Sequence, residues 1–158
     1  MICRPLFKEE YTQLPDFLYE AIFLPEGVIP PERSIVLRPE LALYYEDFGK
    51  GCADLSMAAE EDGKLAGCAW ARIMPDYGHV DDDTPSLAIA VLKPYRNRGI
   101  GTALLKGLLE SLRAHGFRKA SLSVQKENPA VHLYRRLGFK VIRESEEKYI
   151  MVSALSSE

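Results

Sequence analysis

One stretch, Leu87 to Gly116, constrains this chain more than any other; it reads LAIAVLKPYRNRGIGTALLKGLLESLRAHG. Leu87 to Leu92 has the length and apolar composition of a buried strand. Pro94 marks a turn, followed by Arg96-Asn97-Arg98-Gly99-Ile100-Gly101. Ile100, Leu104, Leu108 and Leu112 then recur on one helical face, supported by Leu105 and Leu109, and Gly116 closes the segment as a helix-ending glycine does. A strand that enters a helix through a glycine-rich turn aims free N–H groups and a positive dipole end at one point. That is a site for an anion, commonly phosphate. The glycines alone are equally compatible with a turn that needs positive φ.

The remainder of the chain supplies the context. Its 158 residues suit one domain with a single sizeable core, spanning residues 1–158. No apolar run has the length of a bilayer span and Met1 opens no signal-peptide pattern, so the expectation is a cytoplasmic protein without a membrane partner. Cys3, Cys52 and Cys68 are odd in number and lack C-x-x-C spacing. Buried free thiols are therefore expected rather than a disulfide framework or a zinc site, and His79, His115 and His132 offer no metal-ligand spacing. The net charge of −3 argues against a nucleic-acid partner. Its distribution is polarised: residues 1–85 carry 7 Lys/Arg against 17 Asp/Glu, and residues 86–158 carry 13 against 6. A basic part suits an anionic ligand and an acidic part draws in a cationic one, unless the two interleave on folding.

Along the chain, Met1 to Leu6 suggests a short strand, and Lys8 to Phe23 a helix with a kink or break at Pro15. Pro30-Pro31 stiffens a loop, and Pro39 opens a second short helix bearing Leu41, Leu43, Tyr44 and Phe48. Leu55 to Glu60 and Leu65 to Met74 form a hairpin about Asp62-Gly63. Pro75 to Pro85 is a polar loop longer than a hairpin needs. After Gly116 come a strand over Lys119 to Val124, a short helix capped by Asn128 with Pro129 at its first position, and a closing hairpin of Phe139 to Arg143 and Lys148 to Ala154. The order predicts an α/β fold with a mixed central sheet and flanking helices.

Three blocks occur in a telling order: Arg96-x-x-Gly99-x-Gly101, Asn128-x-Ala130, and Tyr134-x-x-x-Gly138-Phe139. In this spacing the chain resembles the GNAT superfamily of acyl-CoA N-acyltransferases. The likeness covers Pro85 to Ala154 well and the acidic N-terminal half in element order alone. It implies a central sheet whose two parallel strands splay, leaving Leu87–Val91 partly unpaired. Acetyl-CoA would be the co-substrate. Amides of Arg98, Gly99, Ile100, Gly101 and Thr102 would cradle its pyrophosphate, with Arg96 and Asn97 in the same turn. Ile89, Ala90 and Val91 would pair with the pantetheine arm, Asn128 and Ala130 would close on it from across the cleft, and Tyr134 would sit near the thioester sulfur. The implied partners are acetyl-CoA and a small-molecule or peptide amine. A homodimer is compatible with these features.

The chemistry fits those residue types. An amine attacking a thioester creates an oxyanion that needs a preorganised donor, for which a strand amide near Ala90 or Val91 is the natural candidate. The leaving thiolate needs a proton; tyrosine, with a pKa of about 10 against about 8.5 for a thiol, is a protonated donor at neutral pH. Tyr134 is equally a residue that could pack on its own helix. No Cys or Ser/His arrangement supports a covalent intermediate, which favours direct transfer. The base is open, because Leu87–Leu92 carries no carboxylate. Asp76, His79, Asp81-Asp82-Asp83 and Glu60 are the candidates. The acceptor is open too, and so is a non-catalytic acyl-CoA binding module of the same fold.

Overall fold

The computed structural model describes residues 1–155. Seven strands, β1 (Ile2–Arg4), β2 (Leu55–Glu61), β3 (Lys64–Arg72), β4 (Ser86–Val91), β5 (Lys119–Gln125), β6 (Lys140–Glu144) and β7 (Lys148–Ala154), form one mixed sheet in the order β1-β2-β3-β4-β5-β7-β6. All neighbours are antiparallel except β4 and β5. The helices are α1 (Leu14–Ala21), α2 (Pro39–Ala42), α3 (Ile100–Ala114) and α4 (Ala130–Arg136).

Side-chain alternation along the strands splits the core in two. Ala59, Ala69, Ala71, Leu87, Leu122 and Val124 face α3 and α4, against Leu104, Leu105, Leu108 and Leu112. Ala58, Cys68, Trp70 and Ala90 face the other way, against Leu14, Phe17 and Leu18 of α1 together with Tyr44 and Phe48. The β2–β3 hairpin turns through Asp62 and Gly63, both with positive φ (51° and 78°), the backbone that lets the strands keep their twist. Both long-range glycine-closed helices end alike. Gly116 (φ 92°) and Gly138 (φ 95°) let Phe117 N–H reach Leu112 C=O at 3.1 Å and Phe139 N–H reach Tyr134 C=O at 3.0 Å.

Two expectations change. The segment expected as one helix from Lys8 is a 3-10 turn, Lys8–Gln13, followed by α1. Pro15 lies in the first turn of α1, where a missing N–H costs nothing; further inside it would clash with the preceding turn, so the helix starts there. The thiols are not all buried: Cys68 is, on β3, but Cys3 on the edge strand and Cys52 in the turn before β2 are exposed. Trp70 and Arg72 behave as packing residues. The Trp70 indole donates to Tyr44 C=O at 2.9 Å, and Arg72 pairs with the buried Asp54 at 3.0 Å. No helix among the described residues is long and apolar enough to cross a membrane, and none of their His, Cys, Asp and Glu side chains cluster in threes suited to a metal ion.

Candidate active site

The site begins with a failure of pairing. β5 matches β7 over seven residues, from Lys119↔Ala154 to Gln125↔Lys148, and β4 matches β3 over six. Between β4 and β5 the register holds one pair, Ser86↔Ser121, reinforced by Ser121 N–H donating to Pro85 C=O at 2.9 Å. Beyond that point the strands splay.

The direction of each peptide group follows. Leu92 N–H bonds Ala66 C=O on β3, while Pro85 C=O is bonded from β5. Alternation along an antiparallel strand therefore turns the N–H and C=O of Leu87, Ile89 and Val91 toward the opening and those of Ala88 and Ala90 toward β3. Of the two amides expected as oxyanion donors, Val91 faces the cleft and Ala90 is committed to the sheet. The Val91 C=O is already occupied, accepting from Arg96 Nε at 2.8 Å.

The turn after β4 delivers the second half. Asn97 (φ 65°) and Gly99 (φ 80°) adopt left-handed backbone, and Gly99 caps α3. The first α-helical bond runs from Ala103 N–H to Gly99 C=O at 3.1 Å, so the amides of Ile100, Gly101 and Thr102 emerge from the helix end without an intrahelical acceptor. Gly101 is informative because its own backbone does not demand glycine. A Cβ there would meet Leu133, Val91 and Ile89 at ordinary contact distances of 3.8 to 4.0 Å. Neither strain nor packing selects glycine at this position, and a bare backbone leaves room for a ligand to approach.

The cleft enclosed by these parts has a volume of about 870 Å³. Ile89, Ala90, Val91, Arg96, Asn97, Gly99, Ile100, Gly101, Asn128, Ala130 and Tyr134 all border it. Arg98 and Thr102 do not; the Arg98 side chain turns away to Glu61 at 3.3 Å. Asn128 caps α4 as expected, its Oδ1 accepting from Ala130 N–H at 2.9 Å. Tyr134 is buried against Phe139, with ring centroids 5.9 Å apart at 63°, and burial pushes its phenol up to about 12. A tyrosine in that state keeps its proton at any physiological pH and is present as a hydrogen-bond donor.

The sequence did not reveal the opposite wall. Tyr19, Glu20, Ile22, Phe23, Leu24, Pro30, Pro31 and Arg33, at the end of α1 and in the loop after it, face the turn across the cleft. The Tyr19 hydroxyl donates to Pro31 C=O and fixes that loop to α1, while Glu20 Oε1 lies 3.7 Å from Arg96 Nη2. Pro30-Pro31 was the available signal, a stiff loop with no sequence-local reason to be stiff.

The candidate bases separate. Glu60 is held by Arg4 at 2.8 Å between β1 and β2. His79 Nδ1 meets Met74 C=O at 2.9 Å. Asp81 accepts from the Thr84 hydroxyl, the Asp83 amide and Lys119, which hold its carboxyl below the usual range. Asp81, Asp82 and Asp83 border a separate cavity of about 560 Å³ with Gly116, Phe117, Arg118 and Lys119, not the cleft. Asp76 differs. Its Oδ2 accepts from Tyr44 and Ser86, whereas its Oδ1 is buried and unpartnered among the described residues.

Known proteins carry the same design. The model of the acetyltransferase (GNAT) family matches residues 17–139. An N-alpha-acetyltransferase of Sulfurisphaera tokodaii is 33% identical over 113 residues, covering 61% of this chain and 67% of that protein. A mycothiol acetyltransferase of Pseudarthrobacter chlorophenolicus is 29% identical over 110 residues, 69% of this chain; the match spans 34% of that longer relative. Among solved structures, a GNAT-family acetyltransferase from Streptococcus pneumoniae superposes with a TM-score of 0.73 at 23% identity, covering 98% of this chain and 99% of its own. A putative acetyltransferase from Salmonella typhimurium, solved with its cofactor acetyl-CoA, gives 0.73 at 18% identity, covering 100% and 95%. With its splayed parallel strands, glycine-capped helix and matched family blocks, this chain belongs to the acetyltransferase (GNAT) family, whose acyl donor is acetyl-CoA.

Proposed function

We propose that the protein transfers the acetyl group of acetyl-CoA to a primary amine by direct attack, with the α-amine of a peptide N-terminus as the first acceptor to examine. The observation that carries this reading is the cleft-facing backbone of Ile89 and the Val91 N–H beside the free amides at the start of α3. Acetyl-CoA supplies an activated thioester; everything else is done by the chain. Ile89 offers its main-chain groups to the extended arm of the donor. The amides of Ile100, Gly101 and Thr102, with Lys93 and Arg96, suit its pyrophosphate. Asn128 and Ala130 close the far side. Val91 N–H is the donor available to a developing oxyanion, and Tyr134 holds the proton that a departing thiolate needs.

The choice of an α-amine draws on the N-alpha-acetyltransferase relative, which matches over two thirds of its own length. A cytoplasmic location suits the reading, because two exposed thiols, Cys3 and Cys52, persist where disulfides do not form. The experiment is a panel of amines, comprising a free-N-terminus peptide, its N-blocked form, a polyamine, an amino sugar and an amino acid, offered with acetyl-CoA and read by thiol release. Release with the free peptide and not the blocked one supports the proposal. Acetyl-CoA binding without thiol release from any amine would leave a non-catalytic binding module.

A further inference from the structure

We infer that Arg96 and Glu20 are the pair through which the cleft selects its acyl donor: they bar the Val91 carbonyl to a thioester that carries no phosphate. This inference rests on the acetyltransferase reading above and concerns the donor's side of the same site. Acetyl-CoA brings an extended amide arm and a charged pyrophosphate, and the position of Arg96 ties the binding of one to the other.

Arg96 stands beside the strand edge along which the arm lies. Its Nε donates to Val91 C=O at 2.8 Å, and that carbonyl is turned toward the opening between β4 and β5 rather than toward β3. The guanidinium therefore sits in the opening itself. Its outer nitrogen, Nη2, lies 3.7 Å from Glu20 Oε1 on the facing wall. One side chain thus spans the cleft from β4 to α1, and Val91, Arg96 and Glu20 all border it. The far anchor is fixed. Leu14, Phe17 and Leu18 hold α1 in one core with Trp70 and Ala90, and the Tyr19 hydroxyl ties the end of the helix to Pro31 C=O.

The other cations nearby are held elsewhere. Arg33 Nη1 stands 4.0 Å from Glu20 Oε2, but its Nη2 pairs with Asp16 at 3.2 Å and its guanidinium lies over the Tyr19 ring at 4.6 Å. Arg98 turns out to Glu61 at 3.3 Å. At 3.7 Å the Arg96–Glu20 contact is an ion pair without a hydrogen bond, so Glu20 holds the guanidinium by charge alone and can be exchanged for a better anion. A pyrophosphate is that anion, because it meets a guanidinium with two parallel charge-assisted bonds. A donor with phosphates draws Arg96 off Val91 as it binds and frees the carbonyl for its own amide. A bare acyl thioester gives Arg96 nothing in exchange and meets the barred cleft, so its affinity is reduced by the fraction of molecules that are open. Glu20 is a positioning residue in this scheme, acting on the donor through Arg96.

The test compares the dissociation constants of acetyl-CoA and of S-acetyl-pantetheine, the same arm without phosphates, for wild type, Glu20→Gln and Arg96→Ala, followed by amide shifts. Glutamine keeps the shape of Glu20 and removes its charge. Both donors are expected to bind E20Q about two- to fivefold tighter and by matching factors, since the open form becomes commoner for either. In R96A acetyl-pantetheine is expected to bind at least about threefold tighter, which the loss of a phosphate contact cannot produce. An E20Q that tightens acetyl-CoA alone reports plain repulsion between Glu20 and the phosphates and overturns the inference. So does an E20Q that weakens acetyl-CoA, which would make Glu20 an aid to phosphate binding. Acetyl-pantetheine affinity that stays the same in either variant, or binding too weak to detect in all three proteins, overturns it as well. If R96A does not fold, E20Q decides alone. A wild type that does not bind acetyl-CoA overturns the acetyltransferase reading first, and this inference with it.

Discussion

Ser86 and Ser121 are the one register pair that β4 and β5 share, and the cleft opens from that pair. The residues that border the cleft lie where the strands have parted, and the loop before β4 packs where they still touch. The Pro75–Pro85 loop sits at this junction, with Ser121 Oγ donating to Gly78 C=O at 2.8 Å.

Gly101 separates binding from stability. A Cβ there meets protein atoms at 3.8 Å or more. Alanine in a helix is favoured over glycine by roughly 0.5–1 kcal/mol. Gly101→Ala is therefore expected to hold or raise the Tm, while Gly101→Leu, still folded by circular dichroism, weakens acetyl-CoA binding in calorimetry at least about tenfold, or 1.4 kcal/mol. Unchanged affinity in the leucine variant would remove the phosphate cradle from the account.

Gly78 makes the opposite case. A Cβ would press on the backbone of β5, 3.0 Å from Ser123 N and 3.1 Å from Leu122 C, and backbone does not yield as a side-chain tip does. Gly78→Ala is expected to lower stability by about 1–3 kcal/mol in urea unfolding and to depress turnover. A neutral effect on both would mean the loop does not wedge the splay.

Tyr134 sets two expectations. Tyr134→Phe should lower kcat at least about 100-fold while leaving acetyl-CoA affinity intact, and equal rates at saturation would end its role as the acid. Burial raises its phenol to about 12, above the value near 10 of an unfolded chain. A raised pKa contributes stability present below pH 10 and lost as pH climbs from 10 toward 12. Tyr44 shifts the same way, mainly through burial and then through Asp76. Unfolding midpoints followed from pH 8 to 12 should fall steeply above pH 10, and less steeply in the Tyr134→Phe protein.

The triple aspartate is expected to be silent in catalysis. Asp81 is tied to Thr84, Asp83 and Lys119 around a separate cavity. Neutralising Asp81, Asp82 and Asp83 together should leave the acceptor KM unchanged. The lowered carboxyl of Asp81 contributes stability above its unfolded pKa of about 3.9 that fades as pH falls through the lower folded value. An increase in KM would return these residues to the acceptor path.

The glycine turn and the helix end that border the cleft were legible in the sequence because their parts are local. Gly99 and Gly101 follow β4 within a turn, and Tyr134, Gly138 and Phe139 belong to one helix end, where Gly138 lets Phe139 fold back on Tyr134. The heptad-like leucines of α3 likewise reveal its buried face. The surroundings of the splay depend on contacts between distant segments. Tyr44 reaches Asp76 across 32 residues, Ser121 reaches Gly78 across 43, and Tyr19 anchors Pro31. No spacing rule encodes such pairs. Asp76 in sequence is one more aspartate of an acidic half; its neighbours make it distinctive.

The most direct test is the amide spectrum of the protein titrated with acetyl-CoA. Shift changes are expected to concentrate at Ile89, Val91, Ile100, Gly101 and Thr102, with Asp81–Asp83 and Phe117–Lys119 unmoved. Changes centred on those latter residues, with Ile89 and Gly101 unaffected, would contradict the assignment of the splayed strands as the acyl-CoA cleft.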